Sequence, residues 1–188
     1  MRQMRIGAVI RVATLFVAGG FGAQAAAQGV GEVGLPIGTT PDAVTIEDLD
    51  GNDVELSRYI GGKPAVLEFW AQWCENCEAL MPELNRAIAA YGDRVTFLGI
   101  AVAVNQSKRS IRRHLDNHDI EFPLLWDTRG RATRAYMAPT TSYVAILGAD
   151  GKVAYTGVGP EQEIVAALRE ILGETELLNY RTKELRNY

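Results

Sequence analysis

Cys74 and Cys77 are the only two cysteines in the chain, and they stand three residues apart in the run Trp73-Cys74-Glu75-Asn76-Cys77. Two thiols at that spacing can close into a disulfide and reopen, so they can exchange electrons with a disulfide elsewhere. Two cysteines cannot build a disulfide scaffold or a four-cysteine zinc site. A haem attachment site needs His directly after the second cysteine, and Glu78 stands there. A static structural disulfide is the bland alternative. It fits poorly, because a pair opening a helix staples no distant segments together.

The elements around the pair give its members different jobs. Ala65 to Trp70 is apolar except for Glu68, which predicts a central buried strand. A helix is expected from about Cys74 to Tyr91, with Cys77, Leu80, Leu84, Ile88 and Tyr91 on one face and Pro82 as an interior kink. Cys74 then sits at a helix N-terminus, where unpaired backbone N–H groups and the helix dipole favour an anion. It is the expected nucleophile, and Cys77, one turn further in, the resolving thiol. Trp73 beside them reads as a partly exposed apolar platform for a substrate, and Trp70 as core.

The rest of the chain alternates strands and helices. Strands are expected at Val44–Ile46, Val54–Leu56, Val95–Val104 and Leu124–Trp126, with a hairpin from Tyr143–Leu147 to Val153–Thr156 around Asp150-Gly151. Helices are expected at Ser107–His118 and Arg131–Tyr136, and a last one opening at Pro160 and stopped by Gly173. Ser57 is a potential cap for a single helical turn. This order predicts an α/β sheet with helices on both faces.

The chain has 188 residues, 47% of them hydrophobic and 22% charged, which suits one globular domain. Its formal charge of −4 argues against nucleic acid, which requires a basic footprint. Arg2 and Arg5, an uncharged run from Val12 to Ala23 and the small residues Ala25-Ala26-Ala27 resemble a secretory signal cleaved after Ala27. An uncleaved membrane anchor over Ile6 to Ala27 is the alternative. Residues 1–27 carry three Arg and no acid, so 16 basic and 23 acidic residues remain, a net of −7. The division expected is a signal peptide over 1–27, a linker over 28–42, a domain over 43–173 and a polar tail over 174–188. Export places the cysteine pair in a periplasmic or extracytoplasmic setting.

The run Phe69-Trp70-Ala71-Gln72-Trp73-Cys74-Glu75-Asn76-Cys77, followed by Pro82, resembles the thioredoxin superfamily. The overall pattern is similar to its exported TlpA-like branch, including the cytochrome c maturation thioredoxins. The resemblance implies a thioredoxin fold: a central mixed sheet flanked by helices, with an N-terminal β-hairpin extension and a central αβ insert. Tyr136-Met137-Ala138-Pro139-Thr140-Thr141 resembles the family's cis-proline loop. That implies a cis Ala138–Pro139 bond beside the sulfurs, with Ala138, Pro139 and Thr140 offering backbone groups to an extended substrate. Glu68 stands where cytosolic thioredoxins carry a buried Asp. Two readings of it are open: a desolvated carboxyl passing a proton to or from Cys77 through water, or a carboxylate paired with Lys63.

Glu75 and Asn76 between the cysteines depart from the usual pattern, and Glu75 should raise the Cys74 thiol pKa. A higher pKa suits a reductant. The resemblance implies a disulfide reductase with no organic cofactor and no metal. It acts as a monomer on extracytoplasmic disulfide proteins, apocytochrome c among them, and draws electrons from an inner-membrane thiol transporter. The rivals are a disulfide-donating oxidase and a copper-delivery protein; a peroxidase is disfavoured by Ala71. His114 and His118 read as solvated surface histidines, and Lys108, Arg109, Arg112 and Arg113 as a basic face on the same helix.

Overall fold

A computed structural model describes residues 33–174. The signal segment, the start of the linker and nearly all of the tail fall outside the described residues. Seven strands form one mixed sheet: β1 (Thr45–Asp48), β2 (Asp53–Glu55), β3 (Ala65–Trp70), β4 (Thr96–Val102), β5 (Leu124–Asp127), β6 (Tyr143–Leu147) and β7 (Val153–Val158). Their spatial order is β2-β1-β5-β4-β3-β6-β7. β3 is central, parallel to β4 and antiparallel to β6. Every residue of β3 is buried, as expected of a strand covered on both faces.

Among the described residues five helices complete the fold: α1 (Ser57–Ile60), α2 (Glu75–Tyr91), α3 (Lys108–Leu115), α4 (Arg131–Ala135) and α5 (Ile164–Ile171). Alternation along β3 splits the core. Val66 and Trp70 share one cluster with Cys77, Leu80 and Leu84 of α2, Ile111 of α3 and Leu168 of α5. Leu67 and Phe69 face the other way, toward Ala132, Tyr136 and Tyr143. The buried stripe of α2 is Cys77, Leu80, Leu84, Ala87 and Tyr91, and the helix runs on through Pro82. β1 and β2 form the early hairpin and attach at β5, so α3 and β5 are bracketed between it and the central strands.

Two helix starts differ from expectation. Leu56, not Ser57, occupies the N-cap of α1, because its side chain is drawn into the core at 2% exposure. α5 begins at Ile164 rather than Pro160. Gln162 is the reason: its side-chain amide turns inward and donates to the carbonyls of Ser142 and Gly159, holding residues 160–163 out of the helix. Glu83 of α2 accepts from the Val165 N–H, satisfying one donor of the first turn of α5.

Half of the basic face on α3 is internally paired. Lys108 meets Glu47 at 2.5 Å and Arg112 meets Asp50 at 2.5 Å, tying α3 to the β1–β2 hairpin.

Candidate functional site

The sulfurs lie at the C-terminal end of β3, where it feeds α2. Cys74 is the N-cap of α2, with extended backbone at φ −90° and ψ 98°. Its Sγ accepts the Cys77 backbone N–H at 3.1 Å, the role a Ser or Asp oxygen plays in an ordinary cap. The same hydrogen bond favours a thiolate when the disulfide is open. Cys74 and Cys77 are disulfide-bonded, with Cα atoms 5.2 Å apart. Cys74 is 8% exposed and Cys77 is fully buried, so a partner can reach Cys74 alone. Glu75 and Glu78 stand in the first turn beside this sulfur.

Trp73 is 46% exposed, and its indole N–H donates to the Val104 carbonyl at 2.8 Å. Gln106 accepts from the Gln72 N–H at 3.0 Å and donates to the Val102 carbonyl at 2.6 Å. Val104 and Gln106 therefore clasp the loop that carries Cys74. Both were missed by sequence reasoning, because residues after an unremarkable strand carry no local signal of it.

Ala138, Pro139 and Thr140 line the same cleft as Trp73, about 500 Å³ in volume, together with Val104 and Arg129. The Ala138–Pro139 bond is trans, which corrects the expectation of a cis proline. The chain reverses by left-handed residues on either side instead, Met137 at φ 48° and Ser142 at φ 57°, so the bond keeps the intrinsically favoured isomer. Buried Ser142 pins the far end of the loop, its N–H donating to the Phe69 carbonyl at 2.8 Å and its hydroxyl accepting from Gly159. At the near end, buried Asp127 accepts from the backbone N–H groups of Ala132 and Thr133 and from the Thr133 hydroxyl. The Thr133 carbonyl in turn holds the Ala138 N–H. Asp127→Ala removes three hydrogen bonds at once and should cost about 2 kcal/mol, read as a lower denaturant midpoint at an unchanged slope.

Glu68 is 1% exposed, and neither carboxyl oxygen has a hydrogen-bond partner among the described residues. Burial holds its pKa up at about 8. The Lys63 alternative is excluded, since Lys63 donates to the Asp93 carbonyl at 3.0 Å instead. Glu68 sits between Val66 and Trp70 on β3, which places it on the face that packs against Cys77.

The histidines are not simply solvated. His118 is exposed but His114 is half-buried, edge-on to Trp70 at 5.2 Å and stacked on His118 at 3.8 Å. Among the described residues no group of three or more His, Cys, Asp or Glu side chains is placed to hold a metal.

The model of the AhpC/TSA family matches residues 37–156, well over half of the chain. The chain belongs to the AhpC/TSA family. The thiol-disulfide oxidoreductase ResA of Halalkalibacterium halodurans is 31% identical over 130 residues, covering 68% of this chain and 72% of that protein. A secreted Mycobacterium tuberculosis disulfide oxidoreductase homologous to E. coli DsbE is 27% identical, with a TM-score of 0.57 over 68% of this chain and 95% of the other. A thiol:disulfide interchange protein DsbE from Chlorobium tepidum shares the fold at a TM-score of 0.63, with 23% identity over 73% of this chain and 96% of the other. The fold is the thioredoxin fold, and the chain is a thiol–disulfide oxidoreductase.

Proposed function

We propose that this oxidoreductase works outside the cytosol as a reductase of protein disulfides. The observation that carries the direction is the pair of carboxylates, Glu75 and Glu78, in the first turn of α2 beside Cys74. Negative charge there opposes the thiolate that the helix terminus favours, and a less stable dithiolate gives up its electrons more readily. The Cys74 thiolate attacks one sulfur of the partner's disulfide, and the other leaves as a thiolate and takes up a proton. Cys77 then loses its proton and attacks Cys74. The partner is released as a dithiol, and two electrons have passed to it from the Cys74–Cys77 pair.

Glu68 serves this exchange as a proton relay, taking the Cys77 proton through water as that thiol becomes a nucleophile. Trp73, Ala138, Pro139 and Thr140 form the platform on which an extended segment of the partner lies, and Glu75 and Asn76 tune the potential. The cysteine pair is the redox group, so the reading calls on no organic cofactor and no metal. The signal-like segment over 1–27 supports a periplasmic or extracytoplasmic address after cleavage near Ala27, with anchorage through an uncleaved N-terminus as the variant of that reading. The partners that fit are extracytoplasmic disulfide proteins, with apocytochrome c among them, and an inner-membrane thiol transporter to re-reduce a monomeric enzyme.

Equilibration against a thiol redox buffer tests the direction. A reductase should come to rest near about −270 mV, the range of thioredoxin, and far from the about −120 mV of a strong oxidant. A mostly oxidised pair in the living cell, joined to a potential above about −180 mV, reverses the direction.

A further inference from the structure

A second cleft, of about 300 Å³, has Cys74 in its wall and shares no residue with the Pro139 cleft. It lies between α2 and the segment that ends α3. Its floor is apolar: Trp70 is buried at 2%, and Met81 and Ile120 are half-buried. Its rim is polar and exposed, carrying Glu78 from α2 and Asp119 from beyond α3. Among the described residues no Lys or Arg lines it. The stacked His114–His118 pair closes one side, and burial holds the His114 pKa below its ordinary value, which keeps that ring neutral near pH 7. His118 is fixed in the stack by its Nδ1, 2.9 Å from the His114 carbonyl. A carbonyl only accepts, so that nitrogen carries the hydrogen.

An apolar floor under an anionic rim matches one class of side chain. Lys and Arg lay a long apolar stem along a surface and keep the charged head at its edge. An acidic side chain meets two carboxylates. A purely apolar one gains the floor but nothing from the rim. The Trp70 ring in the floor adds to the preference for a cation, most strongly for a guanidinium.

We propose that this cleft is a subsite for a Lys or Arg side chain close to the target cysteine of the partner, with the stem on Trp70 and Met81 and the head at Glu78 and Asp119. The proposal rests on Cys74 as the attacking sulfur and is independent of the net direction of electron flow.

The test uses the full chain carrying Cys77→Ala, reduced, so that each encounter stops at the mixed disulfide. Its rate of adduct formation is followed with three disulfide peptides that differ at one neighbour of the cysteine: Lys, norleucine or Glu. The Lys peptide should react about fivefold faster than the Glu peptide or better, from two exposed charge pairs. Adding Glu78→Gln and Asp119→Asn should bring that ratio to within about twofold of unity, whereas Glu161→Gln, which does not line the cleft, should leave it as it was. The change in ratio between proteins is the readout, because each peptide's own thiol chemistry cancels. A ratio untouched by the paired substitutions, or lowered as much by Glu161→Gln, overturns the subsite. No adduct with any peptide overturns the role of Cys74, and the subsite with it.

Discussion

Cys77→Ala should stop turnover and leave partners covalently held on Cys74. The two Cα atoms are 5.2 Å apart, and the second sulfur is delivered within one turn of α2. Resolution by Cys77 is therefore intramolecular, and losing that advantage should slow release of the partner by at least about 10³-fold. The outcome is read on non-reducing gels of protein purified from its native host: bands of higher mass that collapse with dithiothreitol. Cys74→Ala should give none, because Cys77 is fully buried and cannot meet a macromolecule. Equal trapping by the two variants would reverse the assignment of nucleophile and resolving thiol. The alanine leaves little room for a folding artefact, since it keeps the β-carbon and vacates only the sulfur's place.

Glu68→Gln should change both stability and the pH dependence of exchange. The Glu68 pKa is about 8 in the folded chain against the ordinary 4.5 of an exposed Glu. Between those values the folded state holds a proton that the unfolded chain has released, so folding takes up a proton and stability falls as pH rises. The loss begins near pH 4.5, continues to about pH 8 and then levels off. From pH 5 to pH 7 it amounts to on the order of 3 kcal/mol. Gln carries no such proton. The stability difference between Glu68→Gln and the native chain should therefore move steadily in favour of the variant from pH 5 to pH 8. Denaturant unfolding of the disulfide form at several pH values measures it, and the contributions of the other groups cancel in the difference. A constant difference would mean that Glu68 titrates as an exposed carboxyl. In exchange assays the same variant should resolve mixed disulfides more slowly, with a flatter profile between pH 6 and 8. Identical profiles would remove Glu68 from the proton path and leave it a purely structural burden.

That burden is itself informative. A carboxyl on the central strand with no hydrogen-bond partner among the described residues costs stability, and a neutral Gln or an apolar residue would cost less. Its place on the Cys77 face of β3 is a chemical reason for keeping it.

Much of the site was legible before any coordinates. The strand from Ala65 to Trp70, the helix start at Cys74 and the buried stripe through Cys77, Leu80 and Leu84 all follow from short-range pattern, because apolar spacing records which face each element buries. The difference between the two cysteines follows from helix geometry alone. The loop around Pro139 was less legible. Its isomer depends on how the chain turns at Met137 and Ser142, and left-handed backbone at a Met or a Ser has no sequence signal. The start of α5 at Ile164 differs from the sequence expectation for a related reason. Pro160 is a good local helix opener, but Gln162 finds, beside the local Gly159 carbonyl, the buried carbonyl of Ser142, which comes within reach only once β6 and β7 are in place.

The chemistry of this protein is written in its residue order: a scarce pair of cysteines three apart, opening a helix after a buried strand that carries one acid. Each of those facts is local, and local spacing survives without tertiary contacts. What surrounds the pair comes from tertiary packing. It set Glu68 apart from Lys63, fixed Trp73 through the Val104 carbonyl, and held Ala138 through Asp127 and Thr133. It also brought His114 and His118 up to Trp70, closing a cleft against Cys74. The contacts of Lys63, Trp73 and Trp70 join residues 30, 31 and 44 positions apart, and a hydrogen bond or a ring contact across such a separation exists only when packing makes it.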